Sequence, residues 1–143
     1  VQRLAIEKAR EQDAPGQLVI AADTIVLIDQ SILGKPVDKA QGLEMLMRLS
    51  GRSHQVMTGV ALSGPGGLIT QTVVSTVRFK AFDRAFAERY WASGEPRDKA
   101  GSYGVQGLGA VFIEHLEGSY SNVMGLPLFE TAQMLETMGV RII

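Results

Sequence analysis

One stretch of the chain restricts the fold more than any other, the apolar run LVIAADTIVLI from residue 18 to residue 28. Aliphatic and β-branched side chains in such a run are typical of a strand that is buried on both faces of a sheet. Its one charged residue, Asp23, lies near the middle. A carboxylate in that position is costly unless a cation, a metal ion or a set of hydrogen bonds compensates it. Asp23 is therefore either a structural residue tied to nearby backbone groups or an arginine, or a metal ligand or general base at a cleft.

Strand and helix patterns alternate along the rest of the chain, which predicts one α/β domain over residues 1–143 with a mixed sheet. Asp38 and Asp83 stand where they could cap helices, and Gly51 and Gly94 stand where those helices would end. Residues 94–109 read as a glycine-rich loop. Strands are expected at 18–28, 32–33, 55–62, 68–82 and 111–113, and helices at 1–10, 38–51, 83–94 and 128–138.

Composition excludes several classes of function. The 14 Lys and Arg residues and 15 Asp and Glu residues leave a net charge of −1, which disfavours a nucleic-acid binder. Cysteine is absent, so thiolate metal sites and a cysteine nucleophile are excluded. No apolar run is long enough for a transmembrane helix and no signal peptide pattern is visible, so we expect a cytoplasmic protein. The segment that begins at Val1 reads as the interior of a helix, and we expect that residues precede it in the natural protein.

Lys35 is the first cation predicted to lie near Asp23. If the turn after the apolar strand centres on Gln30, antiparallel pairing sets residue i opposite residue 60 − i. Lys35 then faces Ile25, on the same face of the sheet as Asp23 and one diagonal step away. The alternative is a solvated lysine at the edge of the sheet.

Lys8 is a second candidate cation. It follows Val1, Leu4 and Ala5 at helical spacing, so its stem is expected on the inward face of the first helix. Lysines in such positions either extend past the core into water or direct the ammonium group into an anion site.

The segment from Gly101 to Gly109 has the composition of a loop that approaches a ligand, although it matches neither a P-loop nor a dinucleotide-binding fingerprint. Within residues 104–109, Gln106 alone carries an amide side chain, which can donate and accept hydrogen bonds together. That capacity suits the imide edge of uracil or thymine. The alternative is a glutamine that holds the loop to itself.

Taken together, these segments resemble the Maf family of nucleoside triphosphate pyrophosphatases over essentially the whole chain. The matching segments are Leu4–Ala9, Ala21–Thr24, Leu33–Pro36, Leu49–Arg52, Thr58–Val60, Gly94–Pro96, Asp98–Gly101, Gly104–Gly107, Gly118–Tyr120 and Gly125–Leu128. The family also opens with a strand and a phosphate-binding Ser-x-Ser-x-Arg-Arg loop, for which this sequence has no counterpart.

The resemblance implies a two-lobed fold like that of inosine triphosphate pyrophosphatases, with an elongated twisted sheet, flanking helices and a central cleft. It implies hydrolysis of a nucleoside triphosphate to the monophosphate and pyrophosphate, dependent on a divalent cation (Mg²⁺, Mn²⁺ or Co²⁺). The Asp-Lys-Ala-Gly and Gly-x-Gln-Gly patterns look like those of the branch that acts on dTTP and UTP. Homodimers are also implied, and neither a nucleic acid nor a membrane is an expected partner.

By position, the resemblance implies that Asp23 is the catalytic acidic residue, which holds the metal or accepts a proton from the attacking water. Lys8 and Lys35 match the family's phosphate-site lysines, and Thr24 and Gln106 match positions associated with pyrimidine selection. Neighbours 23 and 24 face opposite sides of a regular strand, so both can meet one ligand only where the strand ends, bulges or twists.

A second hypothesis is a non-catalytic nucleotide-binding regulator of cell division and septum formation. Release of pyrophosphate from dTTP or UTP discriminates the enzyme from such a regulator.

Overall fold

The structure is a computed structural model that describes residues 1–12 and 16–143, and it has the expected α/β architecture. Three short 3-10 turns (Glu95–Asp98, Ala100–Ser102 and Leu108–Phe112) connect the third helix to the last strand. The described helices and strands are, in chain order, α1 (Gln2–Glu11), β1 (Val19–Ile28), β2 (Ser31–Leu33), α2 (Lys39–Leu49), β3 (Ser53–Gly64), β4 (Gly67–Phe79), α3 (Arg84–Ala92), β5 (Ile113–Glu117), α4 (Tyr120–Met124) and α5 (Leu128–Thr137).

The described strands form one sheet with the order β2-β1-β3-β4-β5. β1 pairs antiparallel with β2, and β4 pairs antiparallel with β5. The two strands predicted at 55–62 and 68–82 are present as β3 and β4 and are joined by a hairpin, but its connection is the two residues Pro65 and Gly66 and not residues 63–67. The α/β class, and a sheet accompanied by helices, are therefore confirmed.

The register between β1 and β2 differs from the prediction. Val26 pairs with Leu33 and Ile28 with Ser31, so paired residue numbers add to 59 and not to 60. The connection has two residues and not three, because Asp29 and Gln30 both adopt positive φ angles (49° and 64°), which a two-residue hairpin turn of the primed type requires. A slip of one residue exchanges the faces of a strand. The predicted pairing of Lys35 with Ile25, on the face of Asp23, is therefore wrong.

The predicted helix boundaries at α2 and α3 are confirmed by their capping contacts. Asp38 Oδ1 accepts the backbone N–H of Gln41 at 2.8 Å, and Asp83 Oδ1 accepts that of Phe86 at 2.9 Å. Gly51 and Gly94 have φ angles of 68° and 84°, the left-handed conformation that favours glycine just after a helix.

Two segments were assigned incorrectly from the sequence. The strand predicted at 111–113 begins at Ile113, and the five residues before it form a 3-10 turn. Helix α4 was missed because its five residues are too few to show a helical period. Its one local signal is Ser119, whose hydroxyl accepts the N–H of Asn122 at 3.1 Å.

The chain divides into two compact units. The first unit comprises residues 1–24, 57–74 and 119–143. Ala61 of β3 packs against the buried Ala5 and Ala9 of α1, whereas its neighbours Val60 and Leu62 pack against Met134 of α5. Helices thus cover both faces of the strands within this unit.

The second unit comprises residues 25–56 and 75–118. Phe79 lies at its centre, with ring centroids 4.9 Å from His54, 4.7 Å from Tyr103 and 4.8 Å from Phe112, all edge to face. Tyr103 belongs to the glycine-rich segment, so this aromatic cluster anchors one end of that segment. None of the described helices, in either unit, has the length and apolar character needed to cross a membrane.

Candidate active site

Strand alternation within the first unit determines where Asp23 points. Val19 and Ala21 of β1 pack against the alanine cluster of α1, and Asp23 continues the same i, i+2 series. The side chain of Asp23 therefore faces α1, where Lys8 donates from Nζ to Asp23 Oδ1 at 2.9 Å and to the carbonyl oxygen of Ala22 at 3.1 Å. The prediction that a cation compensates Asp23 is confirmed for Lys8.

The two members of this ion pair differ in exposure. The side chain of Lys8 is 51% exposed and that of Asp23 is 15% exposed. The second carboxylate oxygen, Oδ2, is buried and finds no hydrogen-bond partner among the described residues. A buried carboxylate oxygen without a protein partner requires an explanation, and a bound cation or a catalytic role is one.

The inward stripe of α1 is rotated relative to the prediction. Ala5 and Ala9 are buried, whereas Leu4 is 39% exposed. A glycine explains the close approach of this helix to the sheet, because a Cβ on Gly59 would lie 2.7 Å from the carbonyl carbon of Val1. Lys8 therefore lies at the border of the buried stripe, and its ammonium group reaches Asp23 from there.

Thr24 points away from the Lys8–Asp23 pair. β1 continues unbroken through residue 24, so adjacent side chains face opposite sides. Thr24 Oγ1 lies 2.8 Å from Oγ1 of the fully buried Thr58, which donates to the carbonyl oxygen of Asn122 at 3.1 Å. Thr24 and Asp23 thus contact different neighbours, and a role for Thr24 in pyrimidine selection stays a prediction.

Lys35 belongs to the second unit and lies two residues after the end of β2. The carbonyl oxygen of its neighbour Gly34 accepts the N–H of Gly101 at 3.1 Å, which ties this segment to the start of the glycine-rich loop. The pKa of the exposed Asp98 is lowered, first by its hydrogen bond with Lys99 and in smaller part by the charge of Lys35. The assigned role of Lys35 at a phosphate stays a prediction.

Gln106 lies in the second unit at an exposed tip that includes Gly107 and Leu108. No hydrogen bond among the described residues involves its side chain, so it does not hold the loop to itself. Its amide is therefore available to a ligand, as the base-recognition hypothesis requires.

Glu95 holds this loop, and sequence reasoning missed it. Its Oε1 accepts the N–H of Leu108 at 2.7 Å, and its Oε2 accepts the N–H of Gly109 at 2.9 Å. The hydroxyl of Tyr90 also donates to Oε2. The available signal was the segment Gly94–Pro96, in which a glutamate stands between a glycine and a proline shortly before a loop whose backbone N–H groups need acceptors.

Asp23 is the residue of the first unit proposed to take part in binding a divalent cation. No group of three or more His, Asp or Glu side chains that could hold a metal exists within residues 1–12 and 16–143. Mg²⁺ in nucleotide enzymes is commonly bound by one or two carboxylates together with substrate phosphates. Asp23, whose Oδ2 lacks a partner, can supply one such oxygen, so the residues fit a cation that binds together with a triphosphate.

Comparison with known proteins places these features in a family context. The family model described as Maf-like protein matches residues 1–138. A dTTP/UTP pyrophosphatase from Alkalilimnicola ehrlichii is 54% identical to the chain, over 98% of this chain and 73% of the relative. Relatives of the same name from Aromatoleum aromaticum and Bordetella parapertussis are 47% and 46% identical, over 97% and 99% of this chain and 71% and 72% of their own lengths.

Proposed function

The chain belongs to the Maf family, and from this premise we propose that it hydrolyses pyrimidine nucleoside triphosphates, dTTP and UTP above all, to the monophosphate and pyrophosphate. The observation that carries the proposal is the Lys8–Asp23 pair, in which a mostly buried carboxylate keeps one oxygen without a partner. Support for the substrate class comes from relatives at 46–54% identity that are named for that activity.

Charge explains why a lysine beside Asp23 suits this reaction. A triphosphate carries about four negative charges, and the net charge of the chain is −1, so local cations must attract the substrate. Lys8 is half exposed and has donor capacity beyond its bonds to Asp23 and Ala22, so its ammonium group can also meet a phosphate oxygen.

The proposed chemistry is attack of water on the α-phosphorus. The water oxygen forms the new bond, the bond from the α-phosphorus to the bridging oxygen breaks, and pyrophosphate leaves with the electron pair of that bond. Asp23 either accepts the proton of the attacking water or holds the cation, in which case the proton passes to the solvent. A divalent cation, when bound, neutralises charge on the phosphate oxygens and on the leaving pyrophosphate. Lys35 is assigned to phosphate charge and Gln106 to recognition of the base. Thr24 faces the side of β1 opposite to Asp23 and is given no contact with the same nucleotide.

The proposal is tested by a panel of nucleoside triphosphates, assayed for released pyrophosphate with and without added Mg²⁺, Mn²⁺ or Co²⁺. We expect release from dTTP and UTP at rates well above those from CTP, ATP and GTP, and a dependence on the added metal. Binding of dTTP without release of pyrophosphate from any nucleotide would overturn the proposal in favour of a regulator.

A further inference from the structure

We propose that Glu95 determines base selectivity by fixing the shape of the loop that carries Gln106, and that it does so as a positioning residue without touching the nucleotide. The inference rests on the proposed function and deepens it. It assigns pyrimidine discrimination to a carboxylate 11 residues before the amide that would read the base.

The contacts of Glu95 enclose the tip of the loop from both sides. On the far side of Gln106, the carboxylate binds the N–H groups of Leu108 and Gly109. On the near side it acts through Tyr90, whose hydroxyl donates to Glu95 and accepts the N–H of Gly104 at 3.1 Å. The carboxylate of Glu95 therefore holds the backbone on both sides of Gln106, directly at Leu108 and Gly109 and through Tyr90 at Gly104.

Glycine makes this arrangement sterically feasible. A Cβ on Gly107 would overlap Glu95 Oε1, and a Cβ on Gly109 would overlap the carbonyl oxygen of Gly104. The first glycine thus leaves room for the carboxylate, and the second lets the two sides of the loop approach closely. Glycines in this loop are therefore required by contacts within the protein, with Glu95 at Gly107 and with the backbone of Gly104 at Gly109.

Only a carboxylate satisfies all three donors. Two N–H groups and one phenolic O–H point at Glu95, and each of its oxygens accepts at least one of them. A glutamine offers one acceptor oxygen and an NH₂ group, so in either orientation a donor would face a donor. Burial and the hydrogen bond to Glu95 raise the pKa of Tyr90 well above its usual value, so its hydroxyl keeps the proton that it donates.

The predicted consequence is a change in discrimination between bases. Gln106 can recognise uracil or thymine only if its amide is held at a fixed position, because a hydrogen bond weakens steeply with misalignment. Lys8 and Asp23 make their contacts within the first unit, and none of these contacts involves Glu95. Loosening the loop should therefore raise the KM for pyrimidine substrates more than it lowers kcat.

A double-mutant cycle with Glu95→Gln and Gln106→Ala tests the inference, with kcat/KM measured for UTP and CTP. We expect each single variant to reduce the preference for UTP over CTP about tenfold, the effect of one lost hydrogen bond. The double variant should be no less selective than Gln106→Ala alone, because both changes remove the same recognition.

Two further variants keep the test informative if Glu95→Gln folds poorly. Tyr90→Phe removes the link to Gly104 and should lower selectivity by a smaller factor. Glu95→Asp retains both acceptor oxygens and should restore part of the loss. Glu88→Gln, an exposed position on α3 that pairs with Arg84, is the matched control and should leave selectivity and KM unchanged.

The outcomes separate this inference from the proposed function. If the wild-type protein releases pyrophosphate but Glu95→Gln lowers kcat/KM equally for UTP and CTP, Glu95 is merely structural and the inference is wrong. Selectivity losses that multiply in the double variant overturn it as well. If the wild-type protein releases no pyrophosphate from any nucleotide, it is the proposed function that fails.

Discussion

Asp23 in the first unit and Glu95 in the second are carboxylates in opposite situations. Asp23 pairs with one half-exposed lysine through Oδ1, and its buried Oδ2 has no partner within the described residues. Both oxygens of Glu95 accept hydrogen bonds, from two backbone N–H groups and one phenol. The same functional group is thus incompletely satisfied in one region and fully satisfied in the other.

The contrast suggests different roles for the two carboxylates, one that stabilises a loop and one that takes part in the proposed reaction. A fully satisfied carboxylate stabilises the backbone that it binds, and removing it leaves donors without acceptors. A carboxylate with an oxygen that no protein group binds contributes less to stability, but that oxygen can accept a cation or a proton. Substitution at Asp23 should therefore reduce activity, whereas substitution at Glu95 should reduce stability and selectivity.

The largest effect is expected for Asp23→Asn, which keeps the shape of the side chain and removes its charge. Turnover of dTTP and UTP should fall about a thousandfold, as is usual when a metal ligand or general base is lost. The measurement is the initial rate of pyrophosphate release at saturating substrate. Asp29→Asn is the matched control, because Asp29 also pairs with a cation, Arg52, at 2.6 Å but has no assigned role.

A metal titration of the same variant distinguishes the two roles proposed for Asp23. If Asp23 holds the cation, Asp23→Asn should require more metal for half-maximal rate, and added metal should restore part of the rate. If Asp23 is the general base, the metal requirement should stay constant while the rate stays low. Near-normal turnover of Asp23→Asn at ordinary metal concentrations would contradict both roles.

The next effect concerns stability, and here the larger loss is expected for substitution of Glu95 and the smaller for substitution of Asp23. Glu95→Gln should lower the free energy of unfolding by about 2–3 kcal/mol, because a donor is left facing a donor in the loop. Asp23→Asn should change it by less than about 1 kcal/mol, since its lysine partner is half exposed. Urea unfolding of both variants measures the difference. Equal losses of stability in the two variants would show that the number of hydrogen bonds a carboxylate accepts does not determine its contribution to the free energy of unfolding.

Much of the first unit's site was predictable, because it depends on short-range patterns. The apolar run identified β1, the isolated Asp23 marked the anomaly, and helical spacing brought Lys8 close to the correct face. Small errors remained where the geometry was local but finely balanced. The hairpin between β1 and β2, which belongs to the second unit, has two residues where three were assumed, and that single residue moved Lys35 out of the predicted pairing.

The second unit's loop was less predictable, because its organisation depends on contacts between segments. The glycine content of residues 101–109 predicted a close approach of this backbone to another group, but it did not identify that group. The partner is Glu95, held beside the loop by a 3-10 turn that has no sequence period. Such a contact is visible from sequence only as an unexplained glutamate between a glycine and a proline.

His54 extends the comparison to a buried imidazole. Like Asp23, it has one polar atom with a hydrogen-bond partner and one without, and its expected effect is smaller. Its Nε2 lies 2.7 Å from the hydroxyl of Tyr103, and its buried Nδ1 has no partner among the described residues. Burial lowers the pKa of His54 to about 4, so the folded protein holds it neutral at pH 7. The unfolded chain takes up a proton as the pH falls through about 6.5, and the folded protein does so only near pH 4.

Stability should therefore be lost progressively as the pH falls from 6.5 towards 4, and His54 should account for about 2 kcal/mol of this loss by pH 5. His54→Gln, which can still bond to Tyr103 but does not titrate, should lack that part of the pH dependence. His115→Gln, at an exposed position, should retain it. Free energies of unfolding at pH 7 and pH 5 measure the difference. An identical pH dependence in wild type and His54→Gln would mean that the folded protein accepts a proton on His54 Nδ1 as readily as the unfolded chain does. Burial without a hydrogen-bond partner would then not show that an atom is closed to protons or cations.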